Sequence, residues 1–129
     1  MQMRLELVPL PVADVDRSLA FYRDAVGFHL DHDVSPGNGM RVVQLTPPGS
    51  SCSIVIGVGL DDGSVPAGSV RNLHLVVDDV DAARGALAGR GVGVSDVVDL
   101  GGVRYVFFAD PDGNSWALQQ LAPDGGGRP

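Results

Sequence analysis

The sequence predicts an α+β fold in which a module of one strand, one helix and three strands occurs twice. Two repeated motifs carry this prediction. The segment 12–16, Val-Ala-Asp-Val-Asp, recurs at 77–81 as Val-Asp-Asp-Val-Asp, 65 residues later. A turn at 110–114 has a fainter copy at 46–50, 64 residues earlier. Two motifs that repeat in the same order at nearly the same offset indicate an internal duplication.

The turn at 110–114, Asp-Pro-Asp-Gly-Asn, has a local physical cause. Pro111 fixes φ near the value that the first corner of a turn needs, and Gly113 accepts a positive φ without a Cβ clash. The flanking segments 106–109 and 115–118 are rich in apolar and aromatic residues, which favours strands. The sequence therefore predicts a strand, a tight turn and a second strand here.

The first module begins with a predicted strand at 3–12, which should lie at a sheet edge because Pro9 and Pro11 lack the N–H that a ladder needs. Asp14 and Asp16 are predicted to cap a helix that ends at Gly27. The apolar face of this helix has helical spacing and consists of Val15, Leu19, Tyr22 and Val26. Strands are predicted at 28–34, 40–45 and 51–58, with a Gly/Pro/Asn turn at 35–39.

The second module repeats this order after a polar, glycine-rich linker. Asp79 and Asp81 are predicted to cap its helix, which closes at Gly91 and has an apolar face of Val80, Ala83 and Leu87. The predicted strands are 72–77, 92–98, 103–109 and 115–121. The predicted boundaries are a first module at 1–59, a linker at 60–70, a second module at 71–122 and a disordered tail at 123–129.

Composition excludes several classes of function. The chain of 129 residues has a formal net charge of -7, which argues against nucleic acid as a partner because such proteins usually carry a basic stripe. No run of about 18 apolar residues is present, and the first residues include Arg4 and Glu6. Cys52 is the one cysteine, so no internal disulfide can form. These features predict a cytoplasmic protein with no membrane partner.

Three segments together resemble the vicinal oxygen chelate superfamily, which is also called the glyoxalase, bleomycin resistance and dihydroxybiphenyl dioxygenase fold. They are the strand end at 12–14, the helix segment Ser-Leu-Ala-Phe-Tyr-Arg-Asp-Ala-Val-Gly-Phe at 18–28, and the turn at 110–114. The resemblance implies tandem βαβββ modules whose sheets form a cup-shaped surface around a small molecule. It also implies a homodimer.

The resemblance further implies where a metal would bind in the metal-dependent members. Counting back seven residues from Asp14 and Asp79 gives Leu7 and Asn72, and the other two positions are Ser53 and Ala117. Leu and Ala cannot coordinate a cation, and neutral Asn and Ser side chains are weak ligands for a transition metal. The prediction is a protein with no metal and no cofactor.

Strand alternation predicts a polar lining for the cup in place of the metal. If Asn72 faces the cup, so does His74, and Ala117 brings Ser115 and Gln119 to the same face. The predicted ligand-binding set also contains Ser53. His74 is interpreted first as a core histidine hydrogen-bonded to a neighbour and second as a ligand contact. It is also the candidate catalytic residue, because imidazole titrates near neutrality.

Other side chains have both a structural and a functional interpretation. Arg41 and Arg104 occupy equivalent strands and are candidates to clamp an anion, or are surface residues. Tyr105 is a candidate to line the cup, whereas the parity of Trp116 predicts core packing. His29 and His32 are predicted to be solvated, with a nonstandard metal site as the alternative.

Four functions remain open on the sequence. The first is a metal-independent binding protein that sequesters a small molecule, like the bleomycin resistance proteins and hence with a role in antibiotic resistance. The second is a metal-free isomerase, lyase or cyclase that uses His74 or Asn72. A fold kept for regulation or assembly is the third. A glyoxalase-like metalloenzyme with nonstandard ligands is the weakest alternative.

Overall fold

A computed structural model describes residues 1–122, which form two compact units. The first unit comprises Met1–Val70 together with Asp110–Asn114, and the second comprises Arg71–Ala109 and residues 115–122. The predicted linker therefore groups with the first unit, and so does the turn at 110–114. The predicted tail at 123–129 lies outside the described residues.

The first unit contains one helix and a four-stranded mixed sheet. Its elements are β1 (Leu7–Pro9), α1 (Val15–Ala20), a π-helical segment that continues α1 (Phe21–Val26), β2 (His29–Gly37), β3 (Met40–Thr46) and β4 (Ser53–Val58). The strand order is β1-β4-β3-β2, with β1 parallel to β4 and the other pairs antiparallel. The first strand lies at the sheet edge, as predicted.

The second unit has the same element order and the same sheet topology. Its elements are β5 (Leu73–Val76), α2 (Val80–Gly89), β6 (Val98–Leu100), β7 (Val103–Ala109) and β8 (Ser115–Gln120), and the strand order is β5-β8-β7-β6. The predicted α+β fold with two strand-helix-three-strand modules is confirmed. Among residues 1–122, no helix has the length and apolar content needed to cross a membrane.

The predicted helix ends are largely confirmed. The carboxylates of Asp14 and Asp79 each accept the backbone N–H three residues later, at 3.1 and 3.0 Å. Gly27 and Gly91 follow the two helices with φ of 96° and 86°, a conformation that glycine adopts without a Cβ penalty. The predicted capping role of Asp16 and Asp81 is wrong, because both side chains bind arginines instead.

Two predicted strands are shorter or displaced. The strand at 3–12 reduces to Leu7–Pro9, since the ladder cannot continue through prolines that have no N–H. The strand at 92–98 is replaced by Val98–Leu100. The hydroxyl of Ser95 accepts the N–H of Phe107 at 2.8 Å, so a side chain takes the place of a backbone carbonyl there.

The hairpin between β2 and β3 is tighter than the predicted turn at 35–39. β2 continues to Gly37, and the turn is formed by Asn38 and Gly39 with φ of 55° and 73°. Two successive positive φ values define a type I′ turn, for which Asn-Gly is the preferred sequence. The Asn-Gly pair was the signal that the broader prediction missed.

Each sheet buries one face against the helix of its own unit. In the first unit the buried apolar side chains include Leu19, Tyr22, Val43, Leu45 and Ile56. In the second they include Val80, Leu87, Val106, Phe108, Trp116 and Leu118. The predicted core position of Trp116 is confirmed, because this side chain is 3% exposed and its ring is parallel to that of Phe108.

Asp110 is a buried carboxylate that organises the turn and binds the helical segment of the first unit. Its Oδ1 accepts the backbone N–H groups of residues 112–114 at 2.9 to 3.0 Å. Its Oδ2 accepts the Tyr22 hydroxyl at 2.7 Å and the Asn114 side-chain amide at 2.8 Å. Five donors therefore compensate the loss of water around this charge.

Asn114 extends this arrangement to two further segments of the first unit. Its Nδ2 also donates to the carbonyl of Pro11 at 3.0 Å, and its Oδ1 accepts the N–H of Val70 at 3.0 Å. Arg17 on α1 forms an ion pair with Asp112 at 2.8 Å. The turn thus joins the chain after β1, the helix and the end of the 60–70 segment.

We expect Tyr22→Phe to lower the free energy of unfolding by about 1–3 kcal/mol, because it removes a donor from a buried carboxylate. Tyr105→Phe is the matched control. Its hydroxyl has no hydrogen-bond partner within residues 1–122, so the change should be within about 0.5 kcal/mol. Urea unfolding of both variants measures the difference. Equal midpoints for Tyr22→Phe and the parent protein would contradict the role assigned to Asp110.

Candidate functional site

The face of the second sheet that points away from α2 carries exposed aromatic side chains. In-register pairing places His74, Ala117 and Phe107 in one row across β5, β8 and β7, with Gln119 beside Tyr105 in the next row. We call these five residues the aromatic face. Phe107 is 39% exposed, whereas Ala117 is fully buried beneath its larger neighbours. Ala117 is the small residue of this row, and the His74 and Phe107 rings lie on the strands to either side of it.

The rings of the aromatic face contact one another in a fixed geometry. The Tyr105 and Phe107 rings are nearly parallel, with an interplanar angle of 9° and centroids 6.0 Å apart. The His74 ring meets Tyr105 edge-on, at 86° and 6.0 Å. Offset-stacked and edge-on contacts are the arrangements that aromatic pairs favour, and they restrict the orientation of these side chains.

His74 is fixed by a hydrogen bond between its Nδ1 and the side-chain oxygen of Gln119. Because a carbonyl oxygen only accepts, Nδ1 carries the proton in this pair, and Nε2 of the neutral ring is an acceptor. The structure exposes His74, so it is not the core histidine that was one sequence alternative. What this arrangement offers chemically is an oriented acceptor beside two aromatic rings.

The register corrects the sequence count that made Asn72 the counterpart of Leu7. Leu7 pairs with Ser53, whereas Ala117 pairs with His74. The segment between the first strand and the helix is two residues longer in the first module, so counting back from the capping Asp fails. Asn72 lies just before β5 with φ of 60°, and its N–H donates to the Ser115 hydroxyl at 2.8 Å.

The corresponding open face of the first sheet is polar. Ser53 is 4% exposed, and its Oγ lies 2.6 Å from the Thr46 hydroxyl and 3.3 Å from the Gln44 amide nitrogen. Thr46 in turn donates to Asp31. We call Asp31, Gln44, Thr46 and Ser53 the polar network. Of these four residues, only Ser53 was among the residues predicted from the sequence.

Arg41 and Arg104 are paired with aspartates on the helix side of their sheets. Arg41 binds Asp33 and Asp16, each with a contact of 2.8 Å. Arg104 binds Asp81 at 2.8 Å. In both units an arginine of the third strand of the module thus contacts the first turn of the helix. The guanidinium of Arg41 also holds the pKa of the Asp33 carboxyl below its usual range.

The residues at the expected metal positions do not fit a metal. Leu7 and Ala117 carry no donor atom, so a metal at these four positions would lack two of its ligands. Within residues 1–122 no three His, Cys, Asp or Glu side chains come together as a metal site would require. The His29 side chain is 76% exposed, with Nε2 3.9 Å from Asp31, and His32 is also exposed.

The first unit also contains an open cavity of about 440 Å³. It lies between the chain that follows β1 and the 57–70 segment, and its lining includes Pro9, Pro11, Leu60, Val65 and Val70. Asp61 is its single ionisable lining residue. The other cavity-lining side chains carry no charge, whereas each open face has polar side chains held by hydrogen bonds.

Two mixed sheets with one helix each, arranged as repeated βαβββ modules, define the class of protein. The chain belongs to the glyoxalase/bleomycin resistance protein/dioxygenase superfamily, whose family model matches residues 4–118. A comparison with curated proteins finds no match.

Solved structures of similar sequence share the fold. TnmS3, an antibiotic binding protein from Streptomyces sp. CB03234, is 37% identical with a TM-score of 0.83, and the match covers 94% of this chain and 98% of TnmS3. A glyoxalase/bleomycin resistance protein from the same organism is 38% identical with a TM-score of 0.78, over 91% and 100% of the two chains. A superfamily member from Sphaerobacter thermophilus DSM 20745 is 29% identical with a TM-score of 0.78, over 92% and 98%.

We expect Arg41→Gln to raise the pKa of Asp33 toward the ordinary carboxyl value, because the main cause of its lowering is the hydrogen bond from Arg41. Because the pKa of Asp33 is lowered in the folded protein, its pairing with Arg41 stabilises the fold at pH values above the ordinary carboxyl pKa. This stabilisation is lost as pH falls through the lowered value. A pH titration of the Asp33 side-chain carbon by NMR measures the shift. An unchanged Asp33 titration in Arg41→Gln would disprove the assigned pairing.

Proposed function

We propose that this protein binds and sequesters a small organic molecule of the antibiotic type, without a metal, on the aromatic face of the second unit. The observation that carries the proposal is the pair of parallel rings formed by half-buried Tyr105 and exposed Phe107, beside the oriented imidazole of His74. Stacking on such rings contributes about 0.5–1.5 kcal/mol beyond area burial. The His74 Nε2 would accept a hydrogen bond from the ligand.

The similarity to solved structures supports the ligand class. TnmS3 is described as an antibiotic binding protein, and it covers nearly the whole chain at 37% identity. Fold alone does not define a function, so the argument depends on the site. An aromatic face with one fixed acceptor suits an organic molecule that has a planar apolar part and a hydrogen-bond donor.

The proposed setting is a cytoplasmic homodimer with no nucleic acid or membrane partner. The dimer follows from the resemblance to the superfamily, and the net charge of -7 supports the exclusion of nucleic acid. Light scattering coupled to size exclusion gives the mass of the assembly. A monomeric mass across a wide range of protein concentrations would remove the dimer from the proposal.

A metal-free enzyme is the second candidate, and the fixed orientation of His74 favours it. In this candidate function, Nε2 of the neutral ring would take a proton from a ligand that lies on Tyr105 and Phe107. One positioned general base contributes roughly 10²–10⁴-fold to a rate. Recovery of the bound molecule unchanged after long incubation supports sequestration, whereas a chemically altered product that His74→Gln fails to form supports catalysis.

We expect Phe107→Ala to weaken ligand binding about tenfold or more, because it removes one ring of the pair. The ligand would come from a panel of anthracycline and naphthoquinone antibiotics screened by ligand-observed NMR, with affinities measured by calorimetry. Val58→Ala, a similarly exposed apolar residue of the first unit, is the matched control and should bind normally. Equal loss in both variants, or a panel with no binder, would contradict the proposed site.

If the protein functions without a metal, treatment with a chelator should change neither its stability nor its ligand affinity. Plasma mass spectrometry of untagged protein should give less than about 0.1 metal ion per chain, and chelator should leave both the melting temperature and ligand affinity unchanged. Nickel, zinc, manganese and iron salts should not raise the melting temperature. A stoichiometric metal, or a loss of ligand affinity in chelator, would overturn this part of the proposal.

A further inference from the structure

Asp31 lies at an irregularity in the pairing of β2 with β3. Leu30 pairs with Leu45 and His32 pairs with Gln44, so Asp31 is an extra residue on β2 without a partner in the ladder. Such β-bulges redirect side chains. Here the carboxylate of Asp31 reaches the side chains of Thr46 and Gln44 on the open face of the sheet.

The directions of the hydrogen bonds in the polar network follow from chemistry. A carboxylate only accepts, so the Thr46 hydroxyl must donate to Asp31. Thr46 then has no proton left, and Ser53 must donate to it over 2.6 Å. The two N–H groups of Gln44 point to Ser53 at 3.3 Å and to Asp31 at 3.4 Å. Every donor of the network is therefore used inside it.

The polar network can still accept hydrogen bonds from a ligand, although its own donors are all used. Oδ1 of Asp31 accepts no hydrogen bond from residues 1–122, and the Gln44 carbonyl oxygen is likewise an acceptor. His29 is the one basic side chain in ion-pair range of Asp31, with Nε2 at 3.9 Å from Oδ1. Arg41, the basic side chain of β3, is committed to Asp33 and Asp16. The Asp31 side chain is 24% exposed and thus reachable by a ligand.

We propose that the polar network is a binding site for the ammonium group of an organic amine. A cationic donor fits because the network offers a negative charge and acceptors, and charge-assisted hydrogen bonds are roughly twice as strong as neutral ones. Thr46 and Gln44 hold the carboxylate in place, so little side-chain entropy is lost on binding. This site lies in the first unit and does not depend on the aromatic face of the second.

The test compares two probes of equal shape, naphthylethylammonium and naphthylethanol, which differ in charge. Each is titrated into ¹⁵N-labelled full-length protein, and amide shifts are followed by NMR. We expect the amine to bind about tenfold more tightly than the alcohol. The difference is smaller than a fully buried charged hydrogen bond would give, because the Asp31 side chain is partly exposed to solvent. The largest shifts should fall on residues 29–33 and 44–46.

Asp31→Asn should abolish this preference, because the amide keeps the shape and the hydrogen bond from Thr46 but removes the charge. Asp24→Asn removes an equally charged, exposed carboxylate of the first unit and should retain the preference. Thr46→Val keeps the Asp31 charge but frees its side chain, so it should lose part of the preference. This variant provides a second test if Asp31→Asn perturbs the fold.

Three results would overturn the inference. They are equal affinity of the two probes for the parent protein, an undiminished preference in both Asp31→Asn and Thr46→Val, and amine-induced shifts confined to the second unit. Failure of the proposed function is detected separately, since Phe107→Ala alters the aromatic face and leaves the polar network unchanged.

Discussion

The buried carboxylate of Asp110 is the constraint on which the first unit depends. Five donors surround it, and removing any of them leaves a charge in a site that water cannot reach. Tyr22 brings the helical segment to this carboxylate, and Asn114 passes the connection to Pro11 and Val70. The turn at 110–114 thus belongs to a unit whose other residues, 1–70, are distant from it in the sequence.

The duplicated modules share a framework but differ in the chemistry of their open faces. In both, an aspartate caps the helix and an arginine of the sheet binds the first helical turn, as Arg41 does with Asp16 and Arg104 with Asp81. The open face of the first sheet has a hydroxyl and carboxylate network, whereas that of the second has aromatic rings. Contacts that join the sheet to its helix are thus repeated, whereas the residues on the open faces differ between the modules.

Local patterns were sufficient for the order of the elements and for the core, but not for the bounds of the strands predicted at 3–12 and 92–98. Helical spacing and capping residues predicted both helices, alternation predicted the buried side of Trp116, and the offset of the repeats predicted the duplicated order. Site residues were harder to predict. The count that selected Asn72 as the counterpart of Leu7 failed by two residues, and the predicted set omitted Phe107, which shares a face of β7 with Tyr105 and belongs to the site proposed here.

The sequence by itself determined the fold class, the helix ends and the core, because these depend on spacing and turn chemistry within a few residues. Only the tertiary structure decided that His74 lies opposite Ala117, that a bulge turns Asp31 toward Thr46, and that Arg41 is bound to aspartates. These facts depend on register between strands and on segments far apart in the chain, where a shift of one residue moves a side chain to the other face.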